Sequence, residues 1–358
     1  MKSRVYFVPA RREDGPESLS AKARTVLRAT GFPEALEASD FTALKIHFGE
    51  KGNTGHIKPA WLKGVADEIG AKAPRLFLTD TNTLYVGSRS NSIEHIRLAW
   101  DHGFRPEVLD VPVIIADGLI GHDSREEKGS AGRVASGKLA SAILGADAML
   151  ALSHVTGHVQ TGIGAAIKNL GMGCASRAGK LDQHAVAHPR VLAKACRDCG
   201  LCYDHCAASA IVRTTEGRAR IDDALCVGCG ECLVVCKHGA VKPRWDEDVR
   251  RVQEKVAEYA LLVRRHFGPK LACLNYLLQV TKDCDCMAKN QSGIVEDIGI
   301  CASLDPVAID RASADLVLKR TPGRDPFRQG YDVDWSFQMS HGQSIGLGST
   351  DYDLIERT

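Results

Sequence analysis

The chain lacks a long apolar run, an excess of either charge sign and a signal-peptide pattern. No apolar stretch approaches the length needed to cross a bilayer, so no membrane span is expected. Lysine and arginine number 46 against 44 aspartate and glutamate, a formal net charge of +2 that argues against nucleic acid or an acidic membrane surface as partner. Met1-Lys2-Ser3-Arg4 leads into a brief strand-like run, Val5 to Val8, that breaks at Pro9 and turns charged. That is not a secretory leader, and a cytoplasmic location is expected. With 358 residues, 44% hydrophobic and 25% charged, the chain can hold a large core and a small extra domain.

What the chain does have is cysteine, 13 in all. Eight fall between Cys196 and Cys236 in two copies of C-x2-C-x2-C-x3-C: Cys196, Cys199, Cys202 and Cys206, then Cys226, Cys229, Cys232 and Cys236. A tight cysteine loop can wrap three corners of an iron–sulfur cube, while the short helical turn after it carries the fourth cysteine to the neighbouring cube. Two [4Fe-4S] clusters are therefore expected, one on Cys196, Cys199, Cys202 and Cys236, the other on Cys226, Cys229, Cys232 and Cys206. Gly200, Gly228 and Gly230 let the backbone turn tightly and offer N–H donors to a negatively charged cluster. Zinc also takes four thiolates from paired C-x2-C units, but with a longer spacer and without a repeated third step. Thiolates kept for clusters imply a reducing compartment. The segment resembles the bacterial two-cluster ferredoxin module, although the proline that commonly follows the fourth cysteine is replaced by Ala207 and Lys237.

Outside this module the pattern alternates between short apolar runs and amphipathic stretches. Strands are expected at Val5–Val8, Ala43–His47, Leu76–Thr79, Val111–Ala116, Ala148–Ser153 and Ile294–Ile300. Helices are expected at Ser20–Thr30, Pro59–Ile69, Ile93–Trp100, Lys138–Leu144, Ile163–Leu170, 246–267 and Leu271–Val280, and from Pro306 to Lys319 behind an Asp305 cap. In the 246–267 helix, Val249, Val252, Val256, Tyr259, Val263 and Phe267 form an apolar stripe, and Arg250, Arg251, Glu254, Lys255 and Glu258 read as a solvated face. The fold class is α/β, a mostly parallel sheet with helices on both faces, interrupted by a small α+β ferredoxin-like domain. The domains are 1–186, an insertion at 187–244, and 245–358 with a glycine-rich polar tail from Thr321. Trp335 and Phe337 are the tail's docking points.

The unusual residues follow strands: His47 to His56, Asp80 to Thr83, Asp117-Gly118 with His122, His154 to Lys168, and Cys301. In open parallel sheets ligands bind beyond the carboxyl ends of the strands, so these loops are expected to converge on one site. His154, His158 and His47 are candidate proton carriers or metal ligands, with Glu50 and Lys51 beside the last. Gly162 and Gly164 permit close backbone approach, the helix start after Gly162 favours an anion, and Lys168 adds a charge. The same stretch also reads as a tight packing turn with its histidines bonded to backbone. Cys284 and Cys286, alternate residues of an extended chain, could with Cys301 give three sulfurs to a further metal or cluster. Equally, they could be small buried hydrophobes, as Cys174 and Cys273 are read.

The chain resembles the domain-of-unknown-function 362 family of iron–sulfur proteins. The likeness is carried by the loop from Lys45 to His56, the run Gly162 to Gly173 ending Lys168-Asn169-Leu170-Gly171-Met172-Gly173, and Ile298-Gly299-Ile300 with Asp305-Pro306-Val307-Ala308-Ile309-Asp310. It covers nearly all of residues 1–320 and implies an architecture with an inserted ferredoxin module, not a reaction. A second likeness, to the nickel-dependent lactate racemase fold, touches only His154, His158 and Lys168, and no cofactor is carried over from it. The leading expectation is a redox enzyme that passes electrons from a partner protein through two clusters to a small anionic substrate in the crevice. The alternatives are a ferredoxin-like carrier that docks on a partner oxidoreductase, and a scaffold that delivers metal or clusters.

Overall fold

The computed structural model describes residues 2–357 except 86, 130–131, 185–188, 207, 227–231, 233–234 and 243–248. The expected ligand Cys229, the turn glycines Gly228 and Gly230, Ala207 and both borders of the 187–244 insertion lie outside the described residues.

Eight segments pair into one sheet: β1 (Ser3–Pro9), β2 (Phe41–Ile46), β3 (Arg75–Asp80), β4 (Val113–Ile115), β5 (Ala148–His154), β6 (Leu271–Leu277), β7 (Gly299–Ser303) and β8 (Tyr352–Glu356). Their order is β8-β1-β7-β6-β5-β2-β3-β4. Every pairing is parallel except the two made by β7, against β1 and β6. The sheet is thus mostly parallel, and the carboxyl ends of β2, β3, β5 and β6 open on one edge.

Both faces are buried, which explains why the strands read as nearly unbroken apolar runs. Val5, Phe7, Ala43, Phe77, Met149, Ala151, Cys273 and Leu277 point to one core, under the helices α4 (Ala166–Gly171), α6 (Val249–Phe267) and α7 (Pro306–Arg320). Tyr6, Val8, Leu44, Ile46, Leu78, Leu150, Leu274 and Tyr276 point to the other, under α1 (Pro16–Ala29) and α2 (Lys63–Gly70). Asp305 caps α7 as expected, accepting the amides of Val307 and Ala308 at 2.9 and 3.0 Å with Pro306 in the first turn. On α6, Val252, Val256, Tyr259, Val263 and Phe267 are buried, each contributing about 1.5–3 kcal/mol.

Four expectations are corrected. Leu271–Val280 is not a helix: Leu271–Leu277 is a central strand whose residues alternate between the two cores. An apolar run buried on both sides does not show its period of two, and this one reads equally well either way. Lys138–Leu144 is a strand, Ser136–Ala140, paired with Ser124–Lys128, and only then a turn of helix, Ser141–Leu144. The strand expected at Ile294–Ile300 begins at Gly299. Lys255 and Glu258 are buried rather than solvated, because Glu258 accepts the amides of Arg133 and Val134 at 2.8 and 2.7 Å and faces His341 Nε2 at 2.9 Å.

Past Thr321 the tail folds back as helices Pro326–Tyr331 and Ser336–Ser344 and the edge strand β8. Trp335 is buried there, its indole N–H donating to Asp325 at 2.9 Å.

After α5 (Arg177–His184) the chain builds a small cysteine-bearing body before α6. It contains two ribbons, Arg190–Val191 with Val241–Lys242 and Ile211–Arg213 with Ala219–Ile221, and a helical turn, Leu201–Asp204. Its own apolar cluster joins Cys196, Ile211, Ile221, Cys232 and Val241 to Leu84 and Leu181 of the large domain. Among the described residues no helix is long and apolar enough to cross a membrane.

Candidate functional site

Beyond the carboxyl ends of β2, β3 and β5 lies a crevice of about 140 Å³. It is lined by Lys45, His47, Asp80, Arg89, His154, Gly164, Lys168, Lys180, Cys284 and Cys286, with Leu84 and Tyr85 on the wall toward the cysteine body. The parallel topology brings the ends of these strands to one edge, as expected for an open α/β sheet.

Its floor is a buried charge network. Lys45, flanked by apolar neighbours in β2, is 1% exposed, and its ammonium donates to Asp80 and Asn169 at 2.9 and 2.8 Å. Asp80 ends β3 and also faces Arg89 at 3.7 Å. Burial works against the Asp80 carboxylate, but Lys45 and His95 hold its pKa well below the ordinary carboxylate range. Arg89 donates to Glu50 at 3.2 Å, so Glu50 anchors a cation from behind rather than facing the crevice. Lys180 donates to the Ala175 carbonyl at 2.7 Å and to the Thr81 hydroxyl, and burial pulls its pKa down to about 8. Among the described residues, Lys168 alone of these cations has its ammonium in no hydrogen bond or ion pair, which leaves it for a ligand.

The candidate histidines take different parts. His154 ends β5, with Nε2 against the Leu278 carbonyl at 2.9 Å and Nδ1 against Asp285 at 2.8 Å. Burial opposes the imidazolium, yet Asp285 and the carbonyls together raise its pKa. With both nitrogens engaged it is a fixed cation that orients Asp285, not a proton shuttle. His158 is buried, and its Nδ1 accepts the amides of Gln160 and Thr161, each at 3.2 Å. Burial and then Lys168 push its pKa well below the ordinary value, so it is neutral. His47 Nδ1 accepts the Gly49 amide at 2.9 Å, which places its proton on Nε2, 3.5 Å from the Cys286 sulfur.

The glycine-rich stretch does not form the expected anion site. The first amides of α4, Ala166 and Ile167, donate to the buried carboxylate of Asp310, each at 2.8 Å, so the helix start is already filled. Gly162, at φ +68°, packs against Trp335, and a Cβ there would lie 2.7 Å from the Trp335 Cβ. Gly162 is a packing position, whereas Gly164 does line the crevice.

Cys284 and Cys286 occupy a turn closed by the Met287 amide on the Cys284 carbonyl at 3.0 Å, not an extended strand. Their thiols are hydrogen-bonded to each other. Cys301 does not join them: it is buried in the middle of β7 opposite Asn275, and because β7 runs antiparallel the chain after it leads away from the crevice. What enters the crevice is the loop before β7. Asp117 stands behind it, accepting the amide of Asn82 at 2.9 Å. Among the described residues no three cysteine, histidine or acidic side chains converge on a single metal-ion position.

In the small body, Cys196, Cys199, Cys202 and Cys236 ring a cavity of about 20 Å³. Burial raises the Cys202 pKa to about 11, reinforced by Cys236, Cys196 and Cys199 in turn. Backbone amides point at these sulfurs: Asp198 and Ala219 at Cys196, each at 3.4 Å, and Ala240 at Cys236 at 3.2 Å. The Ala210 amide lies 3.2 Å from Cys206. Four sulfurs ringing a cavity, with amides aimed at them, suit a cluster whose negative charge needs N–H donors. The residues present fit that group.

Residue-by-residue reading missed Lys45, Asp80, Arg89, Lys180 and Asp285 as parts of the site. The usable signal was a charged residue inside an apolar strand, as in Ala43-Leu44-Lys45-Ile46, since a buried charge demands a partner.

The family model described as "Domain of unknown function (DUF362)" matches residues 42–315. An iron–sulfur-type relative, one of the subunits of the tetrathionate reductase from Archaeoglobus fulgidus, is 41% identical over 49 residues, 13% of this chain and 24% of that protein, so the match spans about a quarter of the relative's length. Among solved structures, the lactate racemase apoprotein from Thermoanaerobacterium thermosaccharolyticum aligns with TM-score 0.41 at 10% identity, covering 78% of this chain and 51% of that one. A protein from Thermotoga maritima aligns with TM-score 0.40 at 8% identity, covering 86% and 59%.

Proposed function

The chain belongs to the DUF362 family, and from that premise we propose that it is an iron–sulfur electron-transfer protein whose crevice takes a small anionic substrate for reduction or oxidation. Cys196, Cys199, Cys202 and Cys236 would hold one [4Fe-4S] cluster and Cys226, Cys229, Cys232 and Cys206 the other; when bound, the clusters supply one-electron transfer. One observation carries the reading: Leu84 belongs to the apolar cluster that contains Cys196 and Cys232 and also lines the crevice. A packed apolar wall between two redox-capable regions excludes water and keeps them close.

The rest is work for the chain's own residues. Lys168 meets the anion, Lys45, Arg89 and Lys180 keep the cavity positive, and Asp80 and Glu50 hold those cations in place. A redox partner protein accords with the likeness to a subunit of a reductase. A carrier with no substrate of its own would have no use for four cations gathered in one cavity, which favours the substrate reading.

The test is iron, acid-labile sulfide and electron paramagnetic resonance on anaerobically purified protein. About eight irons with matching sulfide are expected per chain, the sum for two cubes. Stoichiometric zinc without sulfide would overturn the reading.

A further inference from the structure

The loop between β6 and β7, residues 278–298, is long for a connection inside a compact domain, and such loops tend to be functional. It is held from several sides: Thr281 bridges Gly293, the Glu50 amide donates to the Asp285 carbonyl at 2.9 Å, and His154 grips the Asp285 carboxylate. The turn so fixed presents two half-buried thiols side by side in the crevice. Cys284 offers its S–H to Cys286, His47 offers Nε2–H to the same sulfur, and the uncommitted ammonium of Lys168 lines the same cavity. Two donors and a cation directed at one sulfur and not at its neighbour make the pair unequal.

We propose that Cys284 and Cys286 are a redox-active dithiol, with Cys286 the attacking thiolate and Cys284 the resolving thiol, and that their substrate is a small anion containing a sulfur–sulfur bond. In the first step the Cys286 sulfur forms a bond to one sulfur of R–S–S–R, the S–S bond breaks, and RS⁻ leaves with the electron pair. In the second the Cys284 sulfur bonds to Cys286, the mixed disulfide breaks, and the second R–S leaves with the Cys284 proton as RSH. The substrate disulfide is reduced by two electrons and the cysteine pair oxidised by two, with no other reactant.

The pair has the two unlike thiols that exchange requires. The Cys284 hydrogen bond, and then Lys168 and His47 against the opposing effect of burial, bring the Cys286 pKa well below the ordinary thiol value, while that same bond and burial raise that of Cys284. A thiolate attacks and a protonated thiol waits. The dithiol stands on this geometry and needs no iron–sulfur cluster. Only the anionic character of the substrate rests on the reading of the crevice given above.

Trypsin frees Asp283–Lys289, which contains Cys284 and Cys286 and no other cysteine. The intact, anaerobically purified protein is mixed with dithiodiacetate, quenched in acid, alkylated and digested. The expected result is loss of two hydrogen atoms from this peptide with release of two mercaptoacetates per chain, reversed by dithiothreitol. Cys284→Ser should stop at a mixed disulfide on Cys286, and Cys286→Ser should not react. Lys168→Met should slow the reaction about tenfold, one unit of thiol pKa in thiolate fraction plus any lost attraction for the anion, and should slow neutral hydroxyethyl disulfide less. A wild-type peptide that stays unreacted, a mixed disulfide that persists beside an intact Cys284, or a stoichiometric metal held by the pair would overturn the dithiol. Equal effects of Lys168→Met on the anionic and neutral probes would overturn the substrate class while leaving the dithiol standing.

Discussion

The small cysteine body and the crevice both gather sulfur, but they are built on opposite principles. In the body, four sulfurs ring a cavity and backbone amides point at them, so the ligand set comes from one local stretch of chain plus Cys236. In the crevice, two sulfurs sit among side-chain charges from β2, β3, α4, α5 and the loop before β7, segments far apart in the chain. Amides around a ring of thiolates favour a bound cluster, whereas a lysine and a histidine around one thiolate favour attack on a substrate. The difference teaches that identical residues take their chemistry from the donors around them.

The strongest way to separate the two regions is Cys236→Ser. It should remove one cluster, leaving about four irons per chain instead of about eight, while Asp283–Lys289 reacts with dithiodiacetate as before; iron analysis and peptide mass read the two sides independently. Lys45→Met attacks the crevice from below. It strands the Asp80 carboxylate at 3% exposure and should destabilise the fold by about 3–5 kcal/mol, seen as a lower Tm. Gly162→Ala forces a Cβ onto Trp335 from a left-handed backbone and should cost about 2–5 kcal/mol. Because Gly162 packs rather than binds, its Tm should fall while the thiol reaction keeps its rate under conditions where the variant stays folded.

The smallest expected effect is a pH shift. Cys286 is faced by Cys284, Lys168, His47, Tyr85, Arg89, His158 and His184. Its depressed pKa means that alkylation of Cys286 persists below the ordinary thiol range and fades only as pH falls through the lowered value. His47→Ala removes one donor and should move that fall to higher pH by about one unit, measured as iodoacetamide rate against pH. An unmoved profile would remove His47 from the activation of Cys286.

These differences also explain what was legible in the sequence. The cysteine spacing announced its partners because they are local, and the quartet of Cys196, Cys199, Cys202 and Cys236 surrounds one cavity. The parallel sheet was legible from alternating elements, and the crevice from loops that follow strands. Leu271–Leu277 was not, because burial on both faces erases alternation. Gly162 was read as a ligand position because a glycine before a helix looks the same whether it approaches a phosphate or an indole. Cys301 was grouped with Cys284 and Cys286 because the antiparallel course of β7 leaves no mark on its residues. The cations of the floor come from four separate segments, and no local pattern joins them.

The most direct test of the link between the two regions is a reduction of the crevice through the cysteine body. Protein loaded with iron and sulfide, with Cys284 and Cys286 first oxidised to the disulfide, is photoreduced anaerobically with deazaflavin and followed by electron paramagnetic resonance and by the mass of Asp283–Lys289. The expected result is a reduced-cluster signal that fades as the peptide regains two hydrogen atoms, with no such change in protein stripped of iron. A lasting reduced-cluster signal beside a peptide that stays oxidised, although dithiothreitol opens it, would contradict the link.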